Sequence, residues 1–134
     1  MTTADTSVVV AGFASWHEGH AAARAVLTNA VRLPAHVALE VYSVLTRLPP
    51  PHRATSSIVL DFLEARFRKP YLTLPASGHR SLLREASERG ITGGALYDAL
   101  VAATAREAGA TLLTRDRRAV RVYEALGAPF RLVE

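Results

Sequence analysis

The segment Gly94 to Val120, GALYDALVAATAREAGATLLTRDRRAV, decides the architecture. Its first half is Ala- and Leu-rich with no interior breaker, so Ala95 to Ala108 reads as a helix that Gly109 terminates. Its second half turns into a short apolar strand, Thr111 to Thr114. Arg117 to Leu126 then returns to helix, ended by Gly127, before a last strand from Phe130 to Val133. Helices alternating with short, uniformly apolar strands predict an α/β fold, a parallel sheet covered on both faces.

The upstream chain continues this alternation. His17 to Val31 reads as a helix, Leu33-Pro34-Ala35 as an extended link, and His36 to Leu48 as a second helix, stopped by Pro49-Pro50-Pro51. Its Val37, Val41, Val44, Leu45 and Leu48 recur at three- and four-residue spacings. Ser56 to Arg68 is amphipathic, Tyr71 to Leu74 reads as a strand, and Ser77 to Arg89 as a helix ended by Gly90. At the start of the chain, Ser7 to Phe13 is β-branched enough for a strand. Ligand sites in open parallel sheets lie beyond the carboxyl ends of the strands, however. The reading adopted is a short strand, Thr2 to Asp5, with Thr6 or Ser7 capping a helical turn after it.

A chain of 134 residues with 49% apolar residues suits one domain spanning 1–134. The absence of cysteine excludes disulfides, thiolate metal sites and cysteine nucleophiles, and suits a cytoplasmic protein. The apolar run Val8 to Ala14 is too short to span a bilayer and has no basic residue before it, so no membrane role is expected. The net charge is +4, with 15 Arg and only Lys69 among the basic residues. Such an Arg excess favours phosphate or carboxylate partners, although a codon bias toward Arg accounts for it as well.

Three of the four aspartates stand in apolar surroundings: Asp5 before VVVAGF, Asp98 inside LYDALVAATA, and Asp116 closing TLLTRD. Glu40, in VALEVYSVL, is a fourth acid of this kind. Carboxylates are rarely buried unless paired or bound to a metal, and a shared divalent cation explains all four most economically. Plainer roles exist: Asp5 and Asp116 as helix caps, Glu40 as a solvent-facing residue. Asp98 resists such a reading, because no basic residue lies within one helical turn of it.

ADTSVVVAGF, HVALEVYSVLTRLP and LYDALVAATAREAGATLLTRDRRAV, in this order, resemble the PIN-domain nucleases, and within them the VapC-type ribonuclease toxins of bacterial toxin–antitoxin pairs. The resemblance implies a five-stranded parallel sheet between helices, in strand order 3-2-1-4-5. It implies that Asp5, Glu40, Asp98 and Asp116 are the catalytic acids, accompanied by Thr6, Ser7 and Thr114. It further implies RNA as substrate, 5′ phosphate and 3′ hydroxyl products, a homodimer, and a small antitoxin as partner. The chemistry of the residues agrees, since carboxylates and water are the ligands of Mg²⁺ and Mn²⁺. Asp5, Asp98 and Asp116 are then expected to coordinate the metal, and Glu40 to bind metal or position water.

Arg115, Arg117, Arg118 and Arg121 crowd the turn after Asp116 and are candidates for RNA phosphate contacts, with a solvated helix face as the alternative. Arg66, Arg68 and Lys69 read as solvated. His17 and His20 lack the spacing of a helical zinc site, and Gly93-Gly94 is not followed by the residues of a phosphate loop. Trp16 and the four tyrosines are read as too scattered to form a stacking platform for single-stranded RNA. The rival to an enzyme is a non-catalytic PIN-fold RNA-binding or scaffold module, which has no physical reason to keep four acids in apolar settings.

Overall fold

A computed structural model describes residues 1–134. Strand β1 (Thr2–Ala4) leads directly into Asp5, whose side chain accepts hydrogen bonds from the Ser7 and Val8 N–H groups and so caps helix α1 (Thr6–Phe13). The cap is therefore Asp5 itself, not Thr6 or Ser7. Three consecutive valines are poor helix formers. The cap and the burial of Val8, Val9, Ala11 and Gly12 override that propensity.

Helix α2 (His20–Val26) is shorter than the expected His17 to Val31. The His17 ring accepts the Gly19 N–H, which holds the residues before α2 in a turn. Beyond it, Val31 and Leu33 are drawn into the core, and the Arg32 N–H donates to the Thr2 carbonyl at 3.3 Å. Helix α3 (Ala35–Arg47) buries Val37, Ala38, Val41 and Leu45 along one stripe and ends where Leu48 precedes Pro49. Helices α4 (Ser56–Arg66), α5 (Ala76–Glu88) and α6 (Ala95–Glu107) follow. Gly109, at φ +67°, supplies the left-handed turn that sends the chain from α6 into strand β2 (Thr111–Thr114). Helix α7 (Val120–Ala125) and strand β3 (Phe130–Leu132) complete the order.

The sheet is parallel, in the order β1-β2-β3, with Ala4 opposite Leu113 and Thr114 opposite Leu132. It has three strands where the resemblance implied five. The expected second and third strands are reduced to one parallel bridge, Pro34 to Leu72. There the Leu72 N–H donates to the Leu33 carbonyl and the Ala35 N–H to that of Leu72, each at 2.8 Å. Two prolines account for the truncation. Pro34 passes straight into α3, and Pro70 has no N–H for a further rung, while its carbonyl is taken by Arg32 Nε at 2.9 Å.

The core forms between this sheet and the helices, with Leu27, Leu33, Leu112 and Tyr123 among its largest buried side chains. No helix is long and apolar enough to cross a membrane. Leu112 is fully buried in the middle strand, so Leu112→Ala removes a whole isobutyl group from the packed centre. The expected loss is roughly 2–5 kcal/mol, read as a lower urea midpoint with an unchanged m-value.

Candidate active site

The parallel register of β1 and β2 carries Asp5 and Asp116 to the same edge of the sheet. The Asp5 N–H donates to the Leu113 carbonyl at 3.0 Å. Helix α3 brings Glu40 to this edge and the first turn of α6 brings Asp98, where the positive end of the helix dipole favours a carboxylate. All four acids line one cavity of about 40 Å³, together with Thr6, Ser7, Tyr97 and Tyr123. That is room for an ion or a few waters.

Asp5 is almost fully buried and saturated with donors. Its Oδ1 accepts the Ser7 N–H at 3.0 Å, the Ser7 hydroxyl at 2.5 Å and the Val8 N–H at 3.4 Å. Its Oδ2 accepts the Thr114 hydroxyl, and the Tyr123 hydroxyl at 2.8 Å. Burial pushes the Asp5 carboxyl above the usual carboxylate range, against the opposing pull of these donors. Burial and the Asp5 charge push the Tyr123 phenol upward, so it stays a proton donor. The two supporting hydroxyls also reach across the sheet. Ser7 Oγ accepts the Arg115 N–H at 2.8 Å, and Thr114 Oγ1 accepts the Asp116 N–H at 3.0 Å.

The other acids are freer. Asp116 Oδ1 caps the turn before α7 by accepting the Arg118 and Ala119 N–H groups. Glu40 lies 3.3 Å from His36 Nε2. Asp98 has no side-chain hydrogen bond, and its carboxyl is pushed up to about 6, chiefly by burial, then by Asp116, Glu40 and Asp5, with Arg118 offsetting only part.

The four-Arg cluster does not form one patch. Arg115 is tethered, with Nη1 donating to the Val133 carbonyl at 3.0 Å and its guanidinium packed where a Gly19 side chain would stand. It lines an open cleft of about 510 Å³ that shares Thr6, Ser7, Glu40 and Asp116 with the acid cavity and runs on to His17 and Glu18. Arg117 pairs with Glu134, Arg118 extends into solvent near Asp116, and Arg121 is exposed on α7 outside both cavities. Tyr123 and His36 escaped the sequence reading. The signals were present: a buried tyrosine needs a hydroxyl partner, and His36 sits one helical turn before Glu40.

The cavity fits a hard cation. Its donors are oxygens, the Asp98 charge is uncompensated, and the buried Thr6 Oγ1 beside it has no hydrogen-bond partner. No three acidic or histidine side chains are spaced to grip an ion directly. An ion that retains its water shell, as Mg²⁺ does, is therefore the better match.

The model of the PIN domain family matches residues 3–125. Ribonuclease VapC40 of Mycobacterium tuberculosis (strain ATCC 25618 / H37Rv) is 54% identical over 133 residues, 99% of each chain. The chain belongs to the PIN-domain family, in its VapC group. Ribonuclease VapC27 of the same strain is 42% identical over 124 residues, covering 92% of this PIN domain and 90% of that protein. The crystal structure of FitAcB from Neisseria gonorrhoeae superposes with a TM-score of 0.70 at 20% identity, over 97% of this chain and 96% of that one. VapBC2 from Rickettsia felis, bound to a DNA fragment from their promoter, gives 0.69 at 16%, over 99% and 98%. These two likenesses establish the fold.

The Asp98 carboxyl titrates near 6 when folded against 3.8 as its ordinary value. Its contribution to stability is therefore full below about pH 4 and is lost as pH rises through 6. Asp98→Asn removes this loss. In metal-free buffer the variant is expected to be more stable than the unsubstituted protein at pH 7 by up to about 2 kcal/mol, after discounting for water's access to a half-buried group, and so to melt higher, with the gap closing toward pH 4. A lower midpoint for the variant at pH 7 would instead give Asp98 a buried structural partner.

Proposed function

We propose that this PIN domain is a metal-dependent endoribonuclease and the toxin of a toxin–antitoxin pair, with residues 1–134 acting as one catalytic unit. The observation that carries the reading is the convergence of Asp5, Glu40, Asp98 and Asp116, from four separate segments, on one cavity. The raised Asp98 carboxyl, lifted first by burial and then by repulsion from Asp116, Glu40 and Asp5, supports it, because negative charge is concentrated where a cation is needed. The family membership and the relatives named as ribonucleases point to RNA as substrate.

Asp5, Asp98 and Asp116 would hold Mg²⁺ or Mn²⁺, with Glu40 binding the ion or positioning water. When bound, the ion would lower the pKa of a water on it and neutralise the scissile phosphate. Asp5, clamped by Ser7, Thr114 and Tyr123, keeps its charge in a fixed place beside the site. Glu40, half-exposed at the point where cavity and cleft join, is placed to orient a water toward the phosphate. Arg118 and Arg117, on the solvent side of Asp116, are positioned to meet the RNA backbone, with Arg115 at the wall of the cleft. Hydrolysis leaves a 5′ phosphate and a 3′ hydroxyl. In the VapC group the partner is a small antitoxin, and the exposed Leu39, Ile58 and Leu60 of α3 and α4 offer apolar surface for it or for a second copy of the chain. This assembly acts in the cytoplasm.

With Mg²⁺ or Mn²⁺ the purified protein is expected to cut RNA internally, and excess EDTA to abolish the cutting. Asp5→Asn or Asp98→Asn should each lower kcat/KM by roughly 10²- to 10³-fold. Activity that persists in EDTA rules out the metal site, and RNA binding without cutting returns the fold to a non-catalytic module.

Arg117→Ala with Arg118→Ala should weaken RNA binding whatever the sequence. The slope of log K against log salt should become shallower by up to about two phosphate contacts. An unchanged slope assigns both residues to a solvated surface.

A further inference from the structure

Two aromatic pairs flank the joined cavity and cleft, and the chemistry above uses neither as a binding surface. Tyr97 lines the acid cavity and is 53% exposed. The His36 ring stacks on it nearly parallel, at 5.3 Å and 5°. Trp16 is 50% exposed, and the His52 ring lies tilted against it at 4.1 Å and 31°. The His17 ring, 6.0 Å from Trp16, lines the cleft. Tyr97 stands at the acid cavity, and Trp16 stands beside His17 of the cleft that shares Thr6, Ser7, Glu40 and Asp116 with that cavity. In each pair the histidine braces one side of the larger ring, which still presents half its surface to water.

Half-exposed tryptophan and tyrosine rings leave apolar area in water, which is unfavourable unless something covers it. The cavity and cleft beside these rings are lined chiefly by acids and hydroxyls, not by the apolar surface a protein partner covers. Single-stranded nucleic acid fits such a layout, since bases stack on aromatic faces while phosphates run between them. Bases inside a duplex are already stacked and cannot do this.

We propose that the joined cavity and cleft form a track for single-stranded RNA, in which one base stacks on Tyr97 and another on Trp16 while the phosphodiester backbone between them crosses the four acids. The proposal rests on the nuclease reading and specifies how its substrate is held.

Trp16 is the only tryptophan, so its fluorescence reports its own stacking. The test uses the full chain carrying Asp98→Asn, in Mg²⁺, titrated with a short uridine oligoribonucleotide and with the same strand paired to its complement. The single strand is expected to quench the fluorescence saturably and the duplex to leave it nearly unchanged. In the same background, anisotropy of the labelled single strand should show Trp16→Ala and Tyr97→Ala each weakening binding roughly 5- to 150-fold. Trp16→Phe and Tyr97→Phe, which keep an aromatic face, should stay near the parent value. The track is overturned by absent quenching, by equal quenching with duplex, by Ala variants that melt normally and bind as the parent does, or by quenching with a protein partner and not with RNA. Cleavage by the unsubstituted protein is assayed in parallel. Cleavage without stacking removes the track alone, whereas stacking without cleavage removes the nuclease activity and leaves the track.

Discussion

The Asp5 carboxylate is the point on which the other elements depend. It caps α1, bonds to Thr114 at the end of β2, and receives the Tyr123 hydroxyl from α7. A buried carboxylate with few donors would be strongly unfavourable. Five donors offset that cost here, and charge-assisted hydrogen bonds are about twice as strong as neutral ones. Because Ser7 and Thr114 also accept the N–H groups of Arg115 and Asp116, the same network sets the path of the loop that carries the last acid. One side chain thus joins the first strand, the first helix, the middle strand and the last helix at the carboxyl edge of the sheet.

Around this satisfied acid stand three that are less satisfied. The Asp98 side chain has neither a hydrogen bond nor an ion pair, and burial first, then repulsion from Asp116, Glu40 and Asp5, pushes it to about 6. Repulsion of this kind is unfavourable in the folded, metal-free chain and becomes useful only when a cation or a polarised water occupies the cavity. The fold supports it by placing Asp98 in the first turn of α6, where the helix dipole partly compensates, and by building the remainder from tightly packed alanines of that helix. Rigid elements hold the charges in place, so they do not relax away from one another.

The basic residues after Asp116 show how packing sorts one sequence cluster into different roles. Arg115 is drawn inward because Gly19 leaves space for its guanidinium and the Val133 carbonyl accepts its proton. Arg117 and Arg118 remain at the surface, one against Glu134 and one in solvent. Arg121 lines neither the cavity nor the cleft: the turn capped by Asp116 delays α7 to Val120, and Arg121 stands exposed in that helix. Neighbours in sequence need not share a face once a turn intervenes.

Local chemistry was legible in the sequence. Pro49, Gly90 and Gly109 mark helix ends, because each acts on its own backbone within a residue or two. The four acids stood out because carboxylates in apolar runs need an explanation whatever the fold, and their order carried the family resemblance. What depended on distant partners was not legible. The outer strands shrank to a single bridge, Pro34 to Leu72, because Pro34 leads straight into α3 and Pro70 lacks an N–H for a further rung, and α2 was shortened by core contacts far along the chain. Tyr123 became part of the site only because α7 packs against α6 and its hydroxyl reaches Asp5, and Trp16 found His52 and Tyr97 found His36 only through folding. Sequence by itself determined which groups carry charge and where helices stop, since those are properties of single residues and their neighbours. The tertiary structure alone decided which of those groups face one another, because burial, repulsion and stacking act through space between residues that the chain keeps far apart.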